Sequence, residues 1–287
     1  MPCRIGRRLA RTTRRWLRRL THALGMAHPP TGPVRVPIFL YHCIGSYPNP
    51  WHRRPDDLRA DLDALYEGGY RSVRIEDIVS GRLDLERIPK PFGLRFDDNT
   101  EDQFRVLDSR PPGDAIPTED IDGNTLIGIL ERFKEAHPDF GTGGIFYLCA
   151  HRFRPDGALF GQPELQALKL RTLLDKGYEL GNHTYGHESL STLSASEMRE
   201  TIAKCDRMLE NLIGDRVDEV RSFAYPFADV PDDPEKQRIV EERFAWSFVD
   251  RDGPLLYPCP PEDRYRIPRI TVTRDFDMRA FLDQMEA

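Results

Sequence analysis

Beyond residue 33, short apolar runs bounded by turn-forming residues alternate with stretches whose apolar positions return every three or four residues. The first pattern predicts strands at Val36–Tyr41, Arg71–Ile75, Phe92–Phe96, Gly144–Leu148, Tyr178–Gly181, Ser222–Tyr225, Phe244–Val249 and Ile267–Val272. The second predicts helices at Asp56–Glu67, Thr125–Ala136, Pro163–Lys176, Ala195–Ile213 and Asp233–Glu242. In Ala195–Ile213, Met198, Ile202, Cys205, Leu209 and Leu212 fall on one stripe. Ser194 and Glu197 form a capping box ahead of it, and Gly214 is placed to end it. Alternating strands and helices predict an α/β fold with a parallel sheet, and seven or eight such units favour a closed or nearly closed barrel over an open sheet. No internal repeat is evident. The longest irregular stretch, Asn99–Asn124, follows a strand end, where long loops commonly carry function.

Composition narrows the possibilities. A chain of 287 residues with 39% apolar content can build one large domain. The division expected is a basic arm and linker over residues 1–33 and a folded domain over 34–287. The net charge is −6, yet the first thirty residues carry arginines and no acid, so the body is strongly acidic. No basic stripe suited to phosphates lies outside the arm, which argues against nucleic-acid binding, and the acidic body disfavours a strongly anionic substrate. Arg4–Leu24 reads as a basic amphipathic helix suited to peripheral contact with an anionic membrane, or equally as a solvated extension. It lacks the apolar run of a secretion signal or membrane span, so a cytoplasmic or membrane-associated location is expected. Five scattered cysteines with no C-x-x-C indicate neither a disulfide framework nor a zinc ribbon; Cys43 and Cys149, at strand ends, are placed either near a pocket or, the favoured reading, as small buried residues.

In a parallel barrel the active face is built where strands end. There the sequence places Asp97 and Asp98 after one strand, His183 with His187 four residues on after another, and Tyr225-Pro226-Phe227 after a third. Two imidazoles and one carboxylate leave open coordination positions on a zinc-like cation, the arrangement of a catalytic site. Such a cation lowers the pKa of a water toward about 7, and a second carboxylate can take the remaining proton. Asp97 is the natural candidate for that base.

At these residues the sequence resembles the polysaccharide deacetylases, the family four carbohydrate esterases with the chitooligosaccharide deacetylase homology domain. The family's T-F-D-D-G motif appears as Arg95-Phe96-Asp97-Asp98-Asn99, its H-[ST]-x-x-H motif as His183-Thr184-Tyr185-Gly186-His187, and its R-P-P-Y-G-like turn as Ala224-Tyr225-Pro226-Phe227-Ala228. Leu40-Tyr41-His42 is similar to the opening strand of many members, and Ile145-Phe146-Tyr147 to their A-T-F-F strand. The resemblance implies a distorted (β/α) barrel of about seven parallel strands, with Asp97 as general base and Asp98, His183 and His187 as metal ligands. The divalent metal implied is zinc, with cobalt, nickel or manganese as alternatives. The backbone N–H of Phe227 would stabilise the oxyanion. The substrate implied is an N-acetylated amino sugar in a glycan or small conjugate, less often an O-acetylated glycan, and members are frequently extracellular or at the cell surface.

Three departures stand out. Asn99 replaces a glycine, a tolerable change where φ is positive. Ala224 stands where many members carry the arginine that pairs with the catalytic aspartate, so Arg95 or Arg269 is expected to orient Asp97 instead. No histidine follows His187, although the family's usual acid is a late histidine, so His42 is the candidate replacement. Tyr225, Trp246 and Tyr147 are aromatic candidates for stacking on a sugar, Trp246 above all because the family often places a tryptophan at the pocket wall. The competing expectation is a relative without catalysis that binds metal and carbohydrate.

Overall fold

The computed structural model describes residues 33–107, 115–150 and 157–286. The arm and its predicted helix therefore lie outside the described residues. Twelve strands follow in chain order: β1 (Val34–Val36), β2 (Ile38–Tyr41), β3 (Cys43–Ile44), β4 (His52–Arg53), β5 (Arg71–Ser72), β6 (Pro91–Asp97), β7 (Ile145–Leu148), β8 (Glu179–Asn182), β9 (Ser222–Ala224), β10 (Trp246–Asp252), β11 (Leu255–Tyr257) and β12 (Ile267–Thr271). Interleaved α-helices are α1 (Pro55–Glu67), α2 (Ile75–Val79), α3 (Leu126–Ala136), α4 (Gln166–Asp175), α5 (Ala195–Ile213), α6 (Pro234–Arg243) and α7 (Met278–Glu286).

Seven of these strands, in the order β2-β12-β10-β9-β8-β7-β6, pair in parallel, and β2 also pairs with β6, so the sheet closes on itself. The fold is a closed seven-stranded parallel barrel with outer helices. The short β5 extends the sheet outside the ring beside β6.

Because parallel strands with helices outside are covered on both faces, they read as continuous apolar runs; β6, β7 and β8 are buried throughout. The largest core cluster packs α1, α3, α4 and α7 against the outer face of the strands through residues such as Leu62, Leu130 and Leu170. A second gathers residues that open strands, including Ile145, Trp246 and Ile267. The helix predicted over Ala195–Ile213 forms over that span as α5. Ser194 Oγ accepts from the Glu197 N–H, the Glu197 side chain reaches back to the Ser194 N–H, and Met198, Ile202, Cys205 and Leu209 are buried.

Two departures from the predicted elements have physical causes. The strand expected at Arg71–Ile75 stops at Ser72, and α2 begins at Ile75 because the Glu179 carboxylate accepts the N–H groups of Ile75 (2.7 Å) and Glu76 (2.9 Å). The predicted helix at Pro163–Lys176 opens with a separate 3₁₀ turn at Pro163–Leu165 before α4 begins.

Candidate metal centre and active site

Every barrel strand delivers its C-terminal end to one face, and there β6 ends on Asp97. Its carboxylate is buried and lies across the guanidinium of Arg95, with Nε donating to Oδ1 at 2.8 Å and a second nitrogen donating to Oδ2 at 2.5 Å. Residues two apart on a strand share a face, which brings these side chains together inside the barrel. The guanidinium is itself fixed between the rings of Tyr147 (5.0 Å) and Phe248 (4.8 Å). Burial alone would raise the Asp97 carboxyl, but Arg95 and the nearby His183 outweigh it and hold it below the usual carboxylate range. Of the two arginines considered for Asp97, Arg95 makes the paired contact. Arg269 lines the cavity above, its Nη1 donating to Thr271 Oγ1 at 3.0 Å.

The chain turns sharply after Asp97: Asp98 (φ 74°) and Asn99 (φ 39°) both adopt left-handed backbone. Asn99, in the place of the motif glycine, anchors the turn by accepting the Cys149 N–H on its side chain (2.8 Å) and the Phe160 N–H on its carbonyl (2.9 Å). Thr184 (φ 60°), His187 (φ 55°), Phe227 (φ 57°) and Ala228 (φ 56°) adopt the same conformation. Such residues cost energy and collect at functional sites.

The turns deliver a carboxylate and two imidazoles to one point. Asp98 Oδ1 lies 3.6 Å from His183 Nε2 and 3.2 Å from His187 Nε2. It is buried and aligned for a hydrogen bond with neither. One ligand atom from each of the three falls within 4.8 Å of the others. His183 Nδ1 faces the Ala224 carbonyl at 2.7 Å, and a carbonyl only accepts, so the proton sits on Nδ1 and Nε2 keeps its lone pair. Burial, opposed by Asp97, pushes His183 down to about 4, which keeps the ring neutral. Burial would raise the Asp98 carboxyl, but His187 and His183 hold it well below the ordinary range. Converging lone pairs, a neutral imidazole and an ionised carboxylate without an aligned donor fit a divalent cation.

The loop carrying the histidines is braced from behind. Asn182 accepts the Thr184 N–H (2.9 Å) while donating to the Ile202 carbonyl (3.1 Å), and the Glu188 N–H donates to Thr184 Oγ1 (3.2 Å). Across the barrel, Gln103 Nε2 donates to the carbonyls of His42 and Asp97, tying together the ends of β2 and β6.

A cavity of about 550 Å³ opens over this cluster, lined by Asp97, Asp98, His183 and His187 together with His42, Tyr225 and Phe227. The Phe227 ring is exposed and meets His187 edge-on at 4.5 Å. His42 packs against Trp51 (4.8 Å), and its Nδ1 is buried without a hydrogen-bond partner. Burial, countered by Asp97 and Asp98, lowers its pKa. Tyr225 borders the cavity, its hydroxyl pushed up to about 12 by burial. Tyr147 lies beneath Arg95, buried, donating to Ser222 Oγ at 2.9 Å.

Trp246 corrects an expectation. It opens β10, at the end of the barrel opposite the strand termini, buried among the residues that open the other strands, and does not line the cavity. Its apolar surface is spent in the core. Cys43 does border the cavity; what the sequence did not reveal is the rest of that wall, Asn49, Trp51 and His52, which β3 and β4 bring in. Cys149 is buried as expected, but Cys43 is only half-buried. Two-residue strands leave no periodicity to read.

Residues 159–239 match the family model described as polysaccharide deacetylase. The matched stretch carries His183, His187, Tyr225 and Phe227. Among solved structures, a polysaccharide deacetylase from Bacillus cereus superposes with a TM-score of 0.64 at 18% identity, covering 88% of this chain and 69% of its own. The Streptococcus pyogenes deacetylase PplD, solved in complex with acetate, gives 0.65 at 16% identity, covering 89% and 100%. IcaB from Ammonifex degensii gives 0.59 at 17% identity, covering 91% and 100%. At such identities these likenesses establish a shared barrel. No curated protein sequence matches the chain.

Proposed function

We propose that the protein is a metal-dependent deacetylase that removes acetyl groups from N-acetylated amino sugars in a glycan or small sugar conjugate. The observation that carries this reading is the convergence of Asp98, His183 and His187 beside a separate carboxylate, Asp97, that is already paired with Arg95. In this reading Asp98, His183 and His187 hold a divalent ion, zinc by its liking for two imidazoles and a carboxylate, with cobalt, nickel or manganese as substitutes. When bound, the ion polarises the acetyl carbonyl and lowers the pKa of the attacking water.

The chain's own residues supply the proton transfers. Asp97, held ionised by Arg95, accepts a proton from the attacking water. The Phe227 backbone N–H supports the carbonyl oxygen as it gains charge. Cleavage also needs a proton at the departing nitrogen, and His42 relays one to it, taken up from solvent in the cavity as the reaction proceeds. The burial that leaves its resting ring neutral also makes the protonated ring a stronger acid, which suits delivery to an amine. Tyr225 and the exposed Phe227 ring offer apolar surface to the sugar. The unit responsible is residues 34–287, and the basic arm serves peripheral membrane contact, which would place the protein at a membrane surface.

Acetate release from chitooligosaccharides tests this. The wild-type protein should release acetate, and Asp97→Asn should slow release by about 100-fold or more while keeping its metal. His42→Gln should slow amide substrates while sparing an activated acetyl ester, whose leaving group needs no proton. Metal binding with no acetate release from any acetylated glycan would favour the non-catalytic, carbohydrate-binding alternative.

A further inference from the structure

Two further ligand-type side chains, Cys43 and His52, line the same cavity, and a third, Asp102, lies beside them. The parallel pairing of β3 with β4 sets Cys43 opposite His52, with the Cys43 N–H donating to the Trp51 carbonyl at 3.0 Å. Asp102 joins them from the turn after β6. A cysteine sulfur, an imidazole nitrogen and a carboxylate oxygen thereby fall within 4.8 Å of one another, all three residues partly buried. Cys43 and His52 line the cavity that also holds Asp98, His183 and His187.

Hydrogen bonds hold two of the three side chains in place. Asn49 Oδ1 accepts the Trp51 N–H at 2.8 Å, which identifies that atom as the amide oxygen. His52 Nδ1 lies 3.1 Å from the same oxygen and must donate to it, so the proton sits on Nδ1 and Nε2 keeps its lone pair. The ring is further held against Tyr47, with centroids 5.5 Å apart. Thr100 Oγ1 donates to the Asp102 carboxylate, and the Asp102 carbonyl accepts the Leu126 N–H at 3.1 Å ahead of α3. Asp102 is thus anchored at both side chain and backbone.

We infer that Cys43, His52 and Asp102 form a second divalent-metal site on the wall of the active-site cavity. A thiolate and a carboxylate balance two positive charges, and a sulfur–nitrogen–oxygen set selects zinc or cobalt over magnesium or calcium. Three protein ligands leave a coordination position open to water or to an oxygen of a bound sugar. Thiolate formation releases one proton per ion bound. This assignment stands apart from the proposed deacetylase chemistry, because it concerns different ligands and is read by metal binding alone.

The test is cobalt titration of the full-length, chelator-stripped protein, following the near-ultraviolet thiolate-to-cobalt charge-transfer band and counting bound cobalt after desalting. Wild type should bind two equivalents and show the band. Cys43→Ser, a nearly isosteric change, should lose the band and one equivalent, and His52→Ala should lose one equivalent by removing a different ligand. Asp98→Ala should keep the band while losing the other equivalent, so failure at the catalytic centre is seen separately. Absence of the band in wild type, or its persistence in Cys43→Ser, would overturn the assignment.

Discussion

Asp97 could not stay charged within the barrel without Arg95, and at the scale of single residues this pair is the feature on which the chemistry turns. Replacing one member of a buried ion pair leaves the other uncompensated, at a cost of about 3–5 kcal/mol. Arg95→Met should therefore lower stability by that order in urea unfolding. It should also let burial raise the Asp97 carboxyl, moving the acid limb of the pH–rate profile to higher pH. An unmoved acid limb would mean that Asp97 is not the group titrating. His183 makes a second residue-scale prediction. Its pKa is pushed from 6.5 to about 4 by burial, so between those values the unfolded chain binds the proton that the folded protein refuses. The contribution of His183 to the stability of the metal-free protein should accordingly rise with pH across that window, by on the order of 3 kcal/mol, while Glu179, raised to about 7 by burial, contributes in the opposite sense between pH 4.5 and 7. Urea unfolding at several pH values, comparing wild type with His183→Asn, would isolate this contribution, and identical slopes in the two proteins would show that His183 titrates normally when folded.

At the scale of elements, the position of Arg95 depends on the packing of β7 against β8. A side chain on Gly181 would meet the Tyr147 ring, with its Cβ 2.2 Å from Cε1, and that ring supports the guanidinium. Gly181→Ala should cost about 1–3 kcal/mol in stability and reduce kcat more than KM, because the base is displaced while the sugar's contacts are not. Equal changes in both constants would show that strain does not reach Asp97. Elements defined by their own residues were legible in the sequence: α5, with its stripe and capping box, runs as predicted, and the strand ends carrying Asp97 and His183 fall close to their expected positions. Elements defined by distant partners were not. Ile75–Val79 sets its apolar residues at helical spacing but is only five residues long, too short to announce a helix, and it begins where Glu179, remote in sequence, accepts its first N–H groups. β3 and β4 are too short to show a pattern, so the wall carrying Trp51 and His52 emerged only from the fold. Trp246 illustrates the reverse error, because an aromatic residue in a strand reads alike whether it opens the strand or closes it.

At the scale of the whole molecule, closing seven parallel strands brings to one face residues separated by long stretches of chain, and the structure's main consequence is that Asp98 meets His183 and His187 there. The residue types and their order could be read from the sequence; their distances could not, because these depend on which strands pair and where the ring closes. The most direct measurement is the rate of acetate release from a chitooligosaccharide as zinc is added back to chelator-stripped protein, comparing wild type with Asp98→Ala. The account predicts that stripped wild type is inactive and recovers saturably, whereas Asp98→Ala stays inactive at the zinc concentrations that restore wild type. Full activity in the stripped protein, or recovery of Asp98→Ala alongside wild type, would contradict it.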